Sequence, residues 1–398
     1  MNKDTVVILG GARTPIGGFQ GLFSSVTAPA LGVAAARAAL QRAGLDPSDH
    51  DSAIDDVLMG CVLPAGLGQA PARQVALGAD LSVTTPCTTV NKMCGSGMKT
   101  VMMGMDQILA GHADTVLAGG IENMTQAPYL IPKGRSGLRL GHGEIKDHMF
   151  LDGLEDAYTG RLMGSFAQET ADRHGLTRED MDNYAIESLQ RAQRAIKEGW
   201  FDGETVPIDV KVGRTDSTVT HDEQPGKANP DKIPTLRPAF SADGTITAAN
   251  SSSISDGAAA VVLMRESLAT EKALKPMARL LAQASHARHP SEFTVAPIGA
   301  IEKVLAKTGW SINDVDLFEI NEAFAMVPML AMRELGLDHN KVNIHGGACA
   351  LGHPVGASGT RIIVTLMYAL KKLGKTRGIA SLCIGGGEAV AVAIEMVG

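Results

Sequence analysis

Short β-branched runs alternate with Ala-rich stretches through the first 125 residues. Val6-Val7-Ile8-Leu9 is a continuous apolar run, the pattern of a strand buried on both faces. Ala30 to Arg42 carries helical spacing and is stopped by Gly44, a residue suited to the left-handed helix end. Asp56 to Cys61 and Thr115 to Ala118 predict two further strands. Such alternation predicts a parallel α/β sheet.

From about Gln126 to Ala249 the periodicity breaks into Pro, Arg, His and Asp clusters, such as Pro132-Lys133-Gly134-Arg135. One helix is predicted inside, from Arg178 to Glu198, opened by Thr177 with Glu179 and Asp180 in its first turn. This stretch reads as an inserted loop-rich domain, where binding contacts gather. The α/β alternation resumes after Gly257.

A repeat runs through the two flanking parts. Ala43-Gly44-Leu45-Asp46-Pro47 precedes the strand-like Ile54 to Met59, and Thr308-Gly309-Trp310-Ser311 precedes Val315 to Ile320. Cys94-Gly95-Ser96-Gly97 opens an apolar helix leading to a strand that closes in Gly119-Gly120. Gly356-Ala357-Ser358-Gly359 opens the helix Thr360 to Leu373, leading to a strand that closes in Gly385-Gly386-Gly387. Gly97 to Gly119 is a spacing of 22 and Gly359 to Gly385 one of 26. The expectation is one fold duplicated: an N-terminal half 1–125 continued at 250–277, an insert 126–249, and a C-terminal half 278–398.

Composition adds three constraints. Thirty-six Lys and Arg against 43 Asp and Glu leave a net charge of −7, which argues against nucleic acid or an anionic membrane as partner. With 4% aromatics and 45 glycines, the core must be aliphatic, with many close backbone approaches. Cys61, Cys87, Cys94, Cys349 and Cys383 lack CxxC spacing and predict reduced thiols. With no secretory leader pattern and no apolar run near ~18 residues, the expected compartment is the cytoplasm.

Four segments carry candidate chemistry. Cys94 sits at a Gly-rich turn before a helix, whose N–H groups would lower a thiol pKa and hold an oxyanion. Taken alone, a small buried cysteine among glycines fits as well. His353, fixed by Pro354 after it, is the residue type that takes a proton from a thiol. Cys349 and His353 are four apart, but the glycine and proline around them argue against a metal pair. Cys383 ends a strand before three glycines whose N–H groups form an oxyanion nest. Asn321-Glu322-Ala323-Phe324 follows the strand Leu317 to Ile320, where ligand sites gather; a helix cap is the plainer reading of Asn321.

In this order and nearly end to end, these segments resemble the thiolase family: the Cys94 loop, Asn321-Glu322-Ala323-Phe324, Gly352-His353-Pro354 and Cys383-Ile384-Gly385-Gly386-Gly387. Gly11-Ala12-Arg13-Thr14-Pro15 and Glu122-Asn123-Met124 are also similar. The resemblance implies an α/β fold of duplicated βαβαβαββ halves in a five-layer α-β-α-β-α sandwich with an inserted loop domain. It implies a homodimer or homotetramer acting on coenzyme A thioesters, without prosthetic group or metal. The implied reaction is reversible Claisen condensation of two acetyl-CoA to acetoacetyl-CoA plus CoA, through an acetyl-cysteine with ping-pong kinetics.

Carried over, Cys94 is the nucleophile, His353 accepts its proton, and His353 forms one oxyanion hole with a water held by Asn321. Cys383 is the acid/base at the α-carbon, and the N–H groups of Cys94 and Gly385 form the second hole. The resemblance assigns Leu154 and Met163 to the adenine and pantetheine side, and Phe240, Ala248, Ser252, Phe293, Ala323 and Phe324 to the tunnel. The sequence departs from short-chain biosynthetic members at Leu162, Phe293 and Pro225, with Lys227 near enough to replace a basic residue. Rival readings are a broader degradative 3-ketoacyl-CoA thiolase and, from another class, a non-catalytic acyl-CoA-binding or thiol-redox protein.

Overall fold

The computed structural model describes residues 4–46, 54–213 and 215–397. Met1 to Lys3 and Pro47 of the first repeat segment lie outside the described residues.

In strand β1 (Val6–Arg13), Val7 and Leu9 enter one hydrophobic core while Val6 and Ile8 enter another. Both faces are apolar because helices cover both sides. The N-terminal half continues through α1 (Ala28–Ala43), β2 (Asp56–Gly60), α2 (Pro71–Gly78), β3 (Cys87–Val90), α3 (Ser96–Ala110) and β4 (Thr115–Asn123). Helix α1 begins where the Thr27 hydroxyl caps Ala30 and ends at Gly44, φ 74°, as its sequence predicts. After the insert, β5 (Ser255–Arg265) completes this half. The C-terminal half runs β6 (Ala278–Ala287), α6 (Ala296–Thr308), β7 (Leu317–Ile320), α7 (Met326–Leu335), α8 (Ser358–Leu373), β8 (Arg377–Ile384) and β9 (Glu388–Met396). The insert contributes α4 (Met163–Arg173) and α5 (Arg178–Lys197), the latter held by a Thr177–Asp180 capping box.

These nine strands join in the order β7-β8-β9-β6-β1-β5-β4-β2-β3. The join between halves is short: Val6 to Ile8 of β1 pair with Leu280 to Ala278 of β6. Either side repeats one order. β3-β2-β4-β5-β1 on one side matches Val342-β7-β8-β9-β6 on the other, where a parallel Phe318–Val342 bridge stands in for the β2–β3 pair. Strand starts also match, since β4 begins eighteen residues after Gly97 and β8 eighteen after Gly359. Gly119 therefore corresponds to Ser381, and the Gly385 turn lies four residues beyond. That offset is why the two sequence spacings differ.

The sheet is mixed, which corrects the expectation of a parallel one. Only β2–β3, β2–β4 and β7–β8 pair in parallel among the nine strands. The last strand of each half returns without a crossover helix: β9 follows β8 through a turn with Gly386 and Gly387 at φ 94° and 91°, and β5 follows β4 after the insert.

Three cores order the layers. One lies under α1 and α2. A central one gathers Met98, Val101 and Met102 of α3 with Ile362, Ile363 and Leu366 of α8 between the half-sheets. The third lies under α6 and α7. In β9, Val390, Val392 and Ile394 face the centre, while Ala389, Ala391 and Ala393 leave room for α6. The result is α-β-α-β-α. The insert is pinned to it by buried Arg13, whose guanidinium donates to Glu204 at 2.5 Å and Asp222 at 2.7 Å.

Candidate active site

The paired helices α3 and α8 begin side by side, and the candidate residues sit on the loops entering them and on facing strand ends. Close approach here demands glycine. A Cβ on Gly356 would lie 2.6 Å from Glu122 Oε2 and 2.7 Å from the Ile121 carbonyl. Cys94 lies two residues before α3 and follows Met93, whose φ of 47° turns the backbone sharply. The Asn91 side chain accepts from Met93 N–H at 2.9 Å, and Ser96 Oγ donates to the Met93 carbonyl at 2.6 Å.

The backbone N–H groups of Gly385 and Cys94 act on the Cys94 sulfur and favour its thiolate. The structure thus brings Cys94 and Gly385 together as the sequence motifs imply. The net direction of the thiol pKa is nonetheless upward, because burial outweighs these donors. This corrects the expectation that the helix start by itself lowers it; an adjacent base is required. Cys383, the penultimate residue of β8, is fully buried, and burial together with the nearby Cys94 pushes its thiol well up.

His353 is 5% exposed and its pKa falls to about 3, through burial first and then the Arg361 charge. Its Nδ1 lies 2.6 Å from Ser358 Oγ and its Nε2 3.5 Å from Asn321 Nδ2. Asn321 caps no helix, since α7 starts only at Met326. Its amide oxygen instead accepts from Arg361 Nη2 at 3.4 Å. Cys349 does not pair with His353; its thiol is directed at the Glu322 carbonyl, 3.7 Å away. No group of three His, Cys, Asp or Glu suited to a metal occurs among the described residues.

Two buried carboxylates hold these loops. Glu122 accepts from the N–H groups of Gly356 (2.8 Å), Val62 (3.0 Å) and Leu63 (3.1 Å), tying the His353 loop to the end of β2. Glu322 accepts from Ser188 (2.7 Å), Asn343 (2.8 Å), Tyr184 (3.0 Å) and Cys349 N–H (3.0 Å), tying the Asn321 segment to insert helix α5. The supporting roles of Ser358, Arg361 and Glu122 escaped the sequence reading. A signal existed for one of them: Arg361 directly precedes the apolar run Ile362-Ile363-Val364, a placement that needs partners.

The remaining candidates divide. Phe324 makes edge contacts with Phe240 (6.3 Å) and Phe293 (6.2 Å), and Ser252 N–H donates to the Ala323 carbonyl at 3.0 Å. Met163 opens α4 with its sulfur 3.5 Å from where a Cβ on Gly385 would stand. Leu154 packs in a separate cluster with Met149, Met93 and Cys94. Ala248 is exposed. Lys227 is engaged by Glu223 within the insert.

Residues 6–267 match the family model "Thiolase, N-terminal domain" and residues 274–396 the model "Thiolase, C-terminal domain". The acetyl-CoA acetyltransferase of Saccharomyces cerevisiae is 47% identical over 399 residues, covering 99% of this chain and 100% of that one. That of Schizosaccharomyces pombe is 45% identical, covering 100% of both. Among solved structures, the Acat5 thiolase of Ascaris suum in complex with coenzyme A superposes with a TM-score of 0.92 at 42% identity, over 99% of this chain and 100% of that one. The acetyl-CoA acetyltransferase of Syntrophomonas wolfei gives a TM-score of 0.95 at 40% identity, covering both chains fully.

Proposed function

Because the chain belongs to the thiolase family, we propose that it is an acetyl-CoA C-acetyltransferase, interconverting two acetyl-CoA with acetoacetyl-CoA and free CoA. The observation that carries this is the convergence of two thiols, Cys94 and Cys383, beside the Gly385 N–H at the meeting of the two halves. A binding or redox protein has no need of a histidine and an amide aligned on the same space.

In this reading Cys94 attacks the acetyl-CoA carbonyl as His353 takes its proton; the C–S bond to CoA breaks, and His353 returns the proton to the leaving thiolate. The N–H groups of Cys94 and Gly385 stabilise the oxyanion. Cys383 then passes its thiol proton to His353 and, as thiolate, removes a proton from the methyl carbon of a second acetyl-CoA. The enolate oxygen is held by the protonated His353 and a water on Asn321; its carbon attacks the acetyl carbonyl, and the expelled Cys94 sulfur takes the His353 proton. With both thiols shifted upward, each sulfur rests protonated and needs His353 as proton acceptor before it acts.

Met163, Phe240, Phe293 and Phe324 would line the acyl and pantetheine path, and coenzyme A is substrate rather than resident cofactor. Exposed Ile131, Leu138, Leu140 and Ile145 on one arm of the insert favour assembly as a homodimer or homotetramer. The proposed compartment is the cytoplasm, supported by five cysteines that are all unpaired. The division into two halves and an insert at 126–249 is part of the same proposal.

The test separates half-reactions. With labelled acetyl-CoA, Cys94→Ala is expected to lose acyl labelling, while Cys383→Ala is labelled but neither condenses nor cleaves. Labelling at Cys349 or Cys61 would overturn the assignment. Equal kcat/KM for acetoacetyl-CoA and a C8 3-ketoacyl-CoA would favour the broader degradative enzyme.

A further inference from the structure

An amide and an imidazole can each present either end to a neighbour, and their partners decide which. Asn321 and His353 stand in a chain whose first member has no such choice. Arg361 is a donor only, 2% exposed on the first turn of α8, and its Nη2 lies 3.4 Å from Asn321 Oδ1. The oxygen of Asn321 must therefore face the guanidinium, which turns Nδ2 toward His353 Nε2 at 3.5 Å. A donor facing Nε2 requires a lone pair there, so the imidazole proton resides on Nδ1. That proton has an acceptor in Ser358 Oγ at 2.6 Å, whose own hydrogen goes to the Pro354 carbonyl at 2.9 Å. Reversing the chain would set an N–H against the guanidinium. The Pro354 carbonyl already accepts the N–H groups of Ala357 and Ser358, so the far end holds the direction only weakly.

We infer that Arg361 is a positioning residue that, acting through Asn321, keeps resting His353 in the Nδ1–H tautomer with Nε2 as its proton-accepting atom. Ser358 and Arg361 are three apart on one helical turn, so a single element sets both ends of the imidazole. The ion pair of Arg361 with Glu319 is long and made through Nη1, which leaves Nη2 to Asn321. Glu319 is 3.9 Å from Nη1, and Nε and Nη1 have no hydrogen-bond partner among the described residues. Glu204, Glu322 and Arg13 are the other charges acting on it. With Nδ1 already protonated, a proton taken from Cys94 has only Nε2 to occupy.

The inference rests on the proposed acetyl transfer for its purpose, but its test reads the tautomer directly. In protein labelled with ¹⁵N-histidine, the imidazole signals missing from His353→Asn identify His353. Wild type and Arg361→Lys, which keeps a donor-only group, are expected to show protonated Nδ1 and bare Nε2. Arg361→Met is expected to show a mixture, with kcat for condensation down about 10²-fold and the acetyl-CoA KM changed by less than about threefold. Bare Nδ1 in the wild type, or an unchanged tautomer in Arg361→Met, overturns the inference. If Arg361→Met does not fold, wild type and Arg361→Lys decide it. Failure of wild type to transfer acetyl groups would sink the proposed function and leave the tautomer result standing.

Discussion

Replacing Glu122 by Gln tests the buried carboxylate that ties the His353 loop to the strand ends. Burial outweighs three N–H donors and pushes Glu122 up to about 7 from an ordinary 4.5. Between those values the folded protein holds a proton that the unfolded chain releases, so stability falls as pH rises. The contribution is complete below 4.5 and lost as pH passes 7. At ~1.4 kcal/mol per pKa unit the whole loss is about 3 kcal/mol. Glutamine does not titrate, and Asp256 and Glu319, also pushed upward, are present in both proteins and cancel in the difference. Urea unfolding of both proteins from pH 4.5 to 8 should therefore give a wild-type advantage that shrinks by about 3 kcal/mol. The variant also directs an NH₂ group at the Leu63 N–H, leaving a buried donor unpaired at ~1–3 kcal/mol; this offsets the whole curve without changing its slope. A difference curve flat across this range would mean that Glu122 is ionised in the fold and that its hydrogen bonds outweigh burial.

Gly356→Ala places a methyl 2.6 Å from Glu122 and 2.7 Å from a carbonyl, whereas Gly226→Ala meets nothing within 4 Å. Calorimetry should find a melting point several degrees lower for the first and unchanged for the second, at ~1–3 kcal/mol for overpacking; equal values would refute the close-approach argument. Met163→Ala opens space beside Gly385. The ratio of kcat/KM for a C6 3-ketoacyl-CoA to that for acetoacetyl-CoA should rise roughly tenfold, in line with ~1–3 kcal/mol per methylene. An unchanged ratio would remove Met163 from the acyl pocket.

The candidate reactive groups were legible because their chemistry is local. A thiol before a helix, a histidine before a proline and a thiol before three glycines each announce themselves within a few residues. Asn321 shows the limit of that local reading. Its sequence context suits a helix cap, yet α7 begins five residues later and the amide is spent on Arg361 and His353, 40 and 32 positions away. The sheet shows it too: the strand–helix alternation is real, but pairing direction depends on which strands return by a turn. Glycine content reads differently in the fold. At Gly356 the missing side chain admits a carboxylate and a backbone carbonyl rather than a substrate.

Periodicity, turn residues and four short motifs thus determined which segments are strands and helices, that the fold is duplicated, and which side chains are candidates for the chemistry. Tertiary structure alone decided that the sheet is mixed, that burial drives both candidate thiols upward, and which ends of Asn321 and His353 face each other. The physical reason is range. Secondary structure and intrinsic reactivity depend on a few bonded neighbours, whereas desolvation and hydrogen-bond direction depend on groups such as Arg361, Ser358 and Glu122 that only packing brings together.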